Sequence, residues 1–299
     1  MVEDDFTGII RRVKDEPSRR IALAGAEDTM ALEAVELAHR EGLIEATLVG
    51  DPAAIRASAA DLGADISPFE IVPSADAAGT AASLVGGGKA DVLMKGSVSS
   101  KAYLRAVLNE GNGLRTGRLL SHVMVAAVPA YPKLVFLTDA AFNIAPTLSE
   151  KADIIRNAVA TARRLGVARP KVAVLAAVEK VNLPDMPATG DAAALAVMGR
   201  RGQLGDCVVD GPLAFDNAVS KDSARIKGIS SEVAGEADVL VCPDIEAANV
   251  LYKCLIYFSG ARAGAVIVGA AAPVVLPSRA DNAMTKYLSI VTAMALAGG

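Results

Sequence analysis

The sequence predicts an α/β protein of two αβα lobes with a central cleft, and three observations carry that prediction. Helical and strand-like segments alternate from end to end, which is the signature of right-handed βαβ units. The strand-like runs are apolar throughout rather than alternating, as in a parallel sheet covered on both faces. Between residues 123 and 138 the alternation breaks: the apolar runs VMVAAV and LVFLT are joined only by PAYPK. That link is too short for a parallel crossover, so the pair is antiparallel, as expected where one sheet ends or a second begins.

Each element has a local reason. Asp28 caps a helix over 29–41 that stops at Gly42. The run 46–49 is a strand, Pro52 opens a helix ending before Gly63, and 69–72 is the next strand. A helix over 76–85, a strand over 91–94 and a helix over 100–108 follow. Thr147 and Glu150 form a T-x-x-E capping box that opens a helix running to Leu165. A second series then has strands at 171–176, 207–209, 239–242 and 265–268, helices at 188–200 and 245–257, and a last helix over 282–296. The boundary between series falls near residues 140–148.

Composition narrows the function. The chain has 299 residues, 52% of them hydrophobic, enough to bury about three quarters of its unfolded surface. The mean hydropathy of +0.37 comes from alanine and valine. The longest apolar run, Gly264 to Pro277, is shorter than the roughly 20 residues of a membrane-spanning helix and is broken by proline. MVEDDFTG has no basic-then-apolar layout, so the expected location is cytoplasmic, with no membrane partner. A net charge of -4 and only 4% aromatics argue against a nucleic-acid track. Three separated cysteines without C-x-x-C spacing read as buried thiols, and two histidines leave no His-rich metal site, so no metal is expected.

Ligands of such sheets bind at the carboxyl ends of strands, and the candidate residues lie in the loops that leave those ends. Lys95, Gly96, Ser97, Ser99 and Ser100 form a glycine and serine turn between a strand and a helix; it can cradle a phosphate or simply cap the helix, and it lacks the Walker A spacing. The segment 111–117 follows a helix rather than a strand, so its glycines are no dinucleotide fingerprint, although Arg115 can bind an anion. Asp139 and Asn143, four residues apart at a strand end, either orient a ligand or hold a turn. Asp210 stands at another strand terminus, and Asn249 and Lys253 are one helical turn apart on one face. The least ordinary feature is Ser278-Arg279-Ala280-Asp281, where a hydroxyl, a fixed cation and a carboxylate follow an apolar strand within four positions, either as a functional cluster or as a helix cap by Asp281 beside an exposed arginine.

At these residues the sequence resembles the phosphate acetyl/butyryltransferase family, most closely its butyryl branch. The resemblance covers essentially the whole chain and is densest in MKGSVSSKAYLRAVLN, LRTGRLLSHV, FLTDAAFN, RGQLGDCVVDGPLAFDNAVS, EVAGEADVLVCPDIEAANVLYK and APVVLPSRAD. It implies a fold like the isocitrate and isopropylmalate dehydrogenases and usually a homodimer. The first lobe would span 1–145, with a final helix, 279–299, returning to it, and the second 146–278. It also implies a reversible reaction, acyl-CoA plus phosphate giving acyl phosphate plus CoA, by direct transfer with coenzyme A as substrate and no tightly bound cofactor.

The resemblance gives Arg279 the role of clamping phosphate and Ser278 that of hydrogen-bonding the thioester carbonyl or sulfur. Asp281 is the candidate base for the thiol. Acetyl-specific members carry their carboxylate further on, where this chain has Thr285. Two other readings share the sequence: a nicotinamide-dependent β-decarboxylating dehydrogenase, for which Tyr103, Tyr131, Tyr252, Tyr257 and Tyr287 supply no clear Tyr-Lys pair, and a non-catalytic acyl-CoA sensor.

Overall fold

A computed structural model describes residues 6–278 and 280–297 and divides the chain into two compact units, one of residues 6–118 with 263–297, the other of 119–262. In the first unit, β1 (Arg19–Ala24), β2 (Ile44–Gly50), β3 (Glu70–Pro73), β4 (Val92–Lys95), β10 (Arg262–Val268) and β11 (Val274–Val275) lie in the order β3-β2-β1-β4-β11-β10. All these pairs are parallel except β10 with β11. The strand order reverses between β1 and β4, the doubly wound pattern that opens a crevice at the strands' carboxyl ends.

The helices follow the sequence signals closely. Asp28 caps α2 (Thr29–Arg40) by accepting from the Ala31 amide, and Asp51 with Pro52 opens α3 (Pro52–Leu62). Asp76 caps α4 (Ala77–Gly86), and Ser99 caps α5 (Ser100–Leu108). The amphipathic α1 (Phe6–Asp15) buries Phe6, Ile9 and Val13. The last helix, α11 (Ala283–Ala297), packs against α1 and α2. It lies so close on β10 that a side chain at Gly264 would run into the Leu288 carbonyl. Lys286 of α11 is 2% exposed and its Nζ lies 2.9 Å from the Asp28 carboxylate, tying α11 to the cap of α2.

In the second unit, β5 (Ser121–Ala127), β6 (Val135–Thr138), β7 (Lys171–Leu175), β8 (Val208–Leu213) and β9 (Val239–Val241) lie in the order β5-β6-β9-β7-β8. Here β5 and β6 are the antiparallel pair read from the short PAYPK link, and the others are parallel. The capping box at Thr147 and Glu150 opens α6 (Leu148–Arg164). Then come α7 (Pro187–Arg200), the short α8 (Phe215–Val219) and α9 (Lys221–Ile226), and α10 (Ile245–Tyr257).

The units divide the chain differently from the expected limits at 145 and 278. The β5–β6 hairpin goes with the second unit because β6 pairs with β9, Phe136 opposite Val239. The run 263–278 goes with the first because β11 pairs with β4 and β10 with β11. Strand pairing decides both, and it is long-range. No helix among the described residues is long and apolar enough to cross a membrane.

Candidate active site

In the first unit the turns leaving β1 and β4 touch backbone to backbone. The Gly96 amide donates to the Ala24 carbonyl at 2.8 Å, and the Ser97 amide to the Gly25 carbonyl at 2.7 Å. A methyl group at Gly25, where φ is +72°, would sit 2.9 Å from the Ser97 nitrogen, and one at Gly96 would strike the Gly25 carbonyl. The two glycines therefore permit the switch-point approach. Lys95 is buried and its Nζ donates to the Gly96 carbonyl at 3.1 Å.

This geometry corrects one expectation. The amides of Gly96 and Ser97 are occupied by β1 carbonyls and cannot cradle a phosphate. What remains is the start of α5: the amides of Ser100 and Lys101 have no acceptor among the described residues, and the exposed Ser97 and Ser100 hydroxyls stand beside them. The Ser99 hydroxyl is committed to the Ala102 amide at 3.1 Å. A helix start with open N–H groups and hydroxyls favours an anion.

Register brings the Ser278 segment to the same edge. Val274 pairs with Leu93 and Val275 with Met94, both parallel, so the chain leaves β11 toward Ser278 as β4 leaves toward Ser97. Tyr103 of α5 is fully buried and donates its hydroxyl toward the Leu93 and Val275 carbonyls, at 3.0 and 3.1 Å, which locks α5 under both strands. Ser278 is exposed, and its amide donates to the Asp281 carboxylate at 2.7 Å. The Ser278 hydroxyl accepts from the Ala280 amide at 3.3 Å. Asn282 caps the next helix through the Thr285 amide at 2.8 Å. Arg279 lies outside the described residues. Arg115 is exposed and paired with Glu110 at 2.6 Å.

In the second unit the alternative left open for Asp139 resolves toward the turn. Its carboxylate, 3% exposed, accepts from the amides of His122, Ala141, Phe142 and Asn143 at 2.9–3.3 Å and from the Asn143 side chain at 2.6 Å. Asn143 also donates to the Leu120 carbonyl at 2.9 Å. Asn249 of α10 donates to the Ala140 carbonyl at 3.0 Å, so Asp139, Asn143 and Asn249 form one cluster. Lys253 is exposed on α10. Asp210 is not at a strand terminus: it lies within β8, opposite Ala173, and the strand runs on to Leu213. Two strands, β9 and β7, lie between β8 and β6, the strand that leads into the Asp139 turn.

Two features escaped the sequence reading. His122 is buried beside Asp139, edge-on to the Tyr252 ring, and its Nδ1 has no partner among the described residues. Burial pushes its pKa down, partly countered by the Asp139 charge, so the imidazole is neutral at pH 7. The Lys286–Asp28 pair was equally hidden, since nothing in a lone lysine of an apolar helix reveals a partner 258 residues away. Of the cysteines, Cys207 and Cys242 are buried and Cys254 is only half-buried; burial pushes the Cys242 thiol up to about 12.

The fold defines a two-unit α/β protein with open strand ends, and comparison with known proteins gives the family. The sequence pattern described as phosphate acetyl/butaryl transferase matches residues 5–78 and 73–296, and the chain belongs to that family. It is 48% identical to the phosphate butyryltransferase of Clostridium acetobutylicum over 296 residues, 98% of each chain. It is 42% identical to the phosphate acetyltransferase of Thermotoga maritima, over 91% of this chain and 93% of the other. Among solved structures it is similar to a branched-chain phosphotransacylase from Enterococcus faecalis V583, at TM-score 0.83 and 33% identity, covering 94% of this chain and 99% of that one. The EutD phosphotransacetylase from Staphylococcus aureus shares the fold at TM-score 0.80 and 24% identity, covering 97% and 98%.

Proposed function

We propose that this protein reversibly transfers a short acyl group between coenzyme A and inorganic phosphate, as a cytoplasmic homodimer. The observation that carries the reading is the full-length family match, with its Ser278 segment leaving β11 beside the serine turn that leaves β4. Coenzyme A is a substrate in this reading, and no tightly bound cofactor takes part.

The chemistry sets the roles. A phosphate oxygen attacks the thioester carbonyl carbon, the carbonyl oxygen becomes an oxyanion, and collapse breaks the carbon–sulfur bond to expel thiolate. Cation and N–H donors aimed at the developing charge lower that barrier most. Arg279 clamps the phosphate bidentately, and the Ser278 hydroxyl donates to the carbonyl oxygen or sulfur. The open amides at the start of α5, with Ser97 and Ser100, hold a phosphate group of one substrate. Lys95 adds charge from beneath the turn. Asp281 shapes the loop through the Ser278 amide and is the candidate acceptor for the thiol proton in reverse. Asp139, Asn143 and Asn249 brace the β6 turn. The acyl group has two to four carbons, butyryl ahead of acetyl, in line with the nearer likeness to a phosphate butyryltransferase.

Thiol release measured with acetyl-, propionyl- and butyryl-CoA, with and without phosphate, tests the reading. Phosphate-dependent release is expected. Release that ignores phosphate would mean a thioesterase, and CoA binding without release would mean a sensor.

A further inference from the structure

One buried charge of the first unit takes no part in the chemistry set out above. Lys286, near the start of α11, is 2% exposed, and its Nζ donates to Asp28 Oδ1 at 2.9 Å. A buried ion pair contributes little net stability over apolar side chains of the same volume, so stability alone gives this lysine no purpose. Its position in a chain of hydrogen bonds does. Asp28 also accepts from the Ala31 amide at 2.8 Å, and its own amide donates to the Gly25 carbonyl at 3.4 Å. That same carbonyl accepts from the Ser97 amide of the serine turn at 2.7 Å. On the other side, the Lys286 amide donates to the Asn282 carbonyl at 3.1 Å, and the Thr285 amide to the Asn282 side chain at 2.8 Å. The Asp281 amide donates to the Ser278 carbonyl at 3.2 Å, and the Asp281 carboxylate closes the turn on the Ser278 amide.

We propose that Lys286 is a positioning residue for the acyl transfer: through Asp28 it holds the Ser278 segment in register with the serine turn that leaves β4. Each half is well formed locally, the serine turn by its bonds to β1 and the Ser278 turn by Asp281 and Asn282. What sets one half against the other is fewer contacts. Before Ser278 there is the two-residue β11, with Val275 opposite Met94 and the Tyr103 hydroxyl on the Val275 carbonyl. After it there is Lys286. The chain that carries Ser278 and Asp281 therefore runs between two anchors, and the second is a directional bond of fixed length, which an apolar contact would not supply. A displacement of about 1 Å in a group that orients reactants costs up to about 100-fold in rate.

The rate effect rests on the acyl-transfer reading, the link itself on geometry alone. Steady-state kinetics, thermal melting and amide hydrogen exchange of the full-length wild type, K286M, D28S/K286M and V291A test both. In D28S/K286M serine keeps the α2 cap and methionine fills the lysine's space, so no charge is stranded. Val291, buried in the same helix and outside the link, is the control. K286M and D28S/K286M should each lose about 10- to 100-fold in kcat, with KM for acyl-CoA within about threefold of wild type. Both should exchange faster at 97–99 and at 278–286, whereas V291A melts earlier and keeps its kcat. Full kcat in D28S/K286M, a loss in V291A as large as in K286M, or unchanged exchange at either segment overturns the positioning role. If K286M fails to fold, D28S/K286M decides; if neither folds, the pair is structural and the role is overturned. A wild type without phosphate-dependent thiol release ends the acyl-transfer reading instead, and the exchange pattern still judges the link.

Discussion

The carboxyl ends of β4 and β11 in the first unit and the carboxyl end of β6 in the second carry similar residues and use them in opposite ways. Around β6, one carboxylate gathers five N–H donors, and an asparagine from α10 closes the next carbonyl. The Asp139 carboxylate there is satisfied within the protein. Around β4 and β11, the Ser97 and Ser100 hydroxyls and the first amides of α5 stay open. A buried polar group with all its bonds made rigidifies a fold, whereas an exposed one with open bonds is available to a substrate. The contrast supports the proposed division of labour, with the Asp139 cluster as framework and the serine turn and Ser278 segment as the proposed substrate contacts.

Substitutions can break that contrast. Arg279→Ala should lower kcat/KM by two to three decades, the scale of losing one preorganised donor, with melting temperature unchanged; steady-state kinetics with full activity would remove Arg279 from the chemistry. Asp139→Ala should instead act on stability, costing about 3 kcal/mol by stranding buried donors, seen in the urea midpoint. Were its effect confined to KM, the framework role would be wrong. Lys286→Met should cost about 2 kcal/mol, because it leaves the Asp28 carboxylate without its buried cation. Ser100→Ala should raise KM for phosphate or CoA several-fold and leave stability within about 0.5 kcal/mol, as for other exposed sites.

The smallest effect concerns pH. The His122 pKa is lowered in the folded protein, so the unfolded chain binds the extra proton first. Its contribution to stability is complete above the unfolded value of about 6.5 and is lost as pH falls through the lower folded value. Denaturation curves between pH 7 and pH 5 should fall less steeply for His122→Gln than for the wild type, and an identical slope would dissociate His122 from this window.

Much of the first contrast was legible in the sequence. Asp28, Pro52 and the Thr147–Glu150 box marked their helices to within a residue or two, because such signals act through neighbouring residues. The strand β1 and helices α1, α8 and α9 carried weaker signals and went unread. Asp210 was misplaced because β8 continues through Asp210-Gly211-Pro212, a string that reads as a turn. The serine turn was identified, but not that β1 takes two of its amides, since that bond joins residues some 70 positions apart.

Taken alone, the sequence determined the α/β class, the order of most elements and the family, because helix caps, apolar strand runs and long matching blocks are properties of neighbouring residues. Tertiary structure decided which strands pair and hence where the units divide. It also decided that Asp139 serves a turn and that Lys286 finds Asp28. Those outcomes depend on contacts between distant residues, whose energies exist only once the sheets have formed.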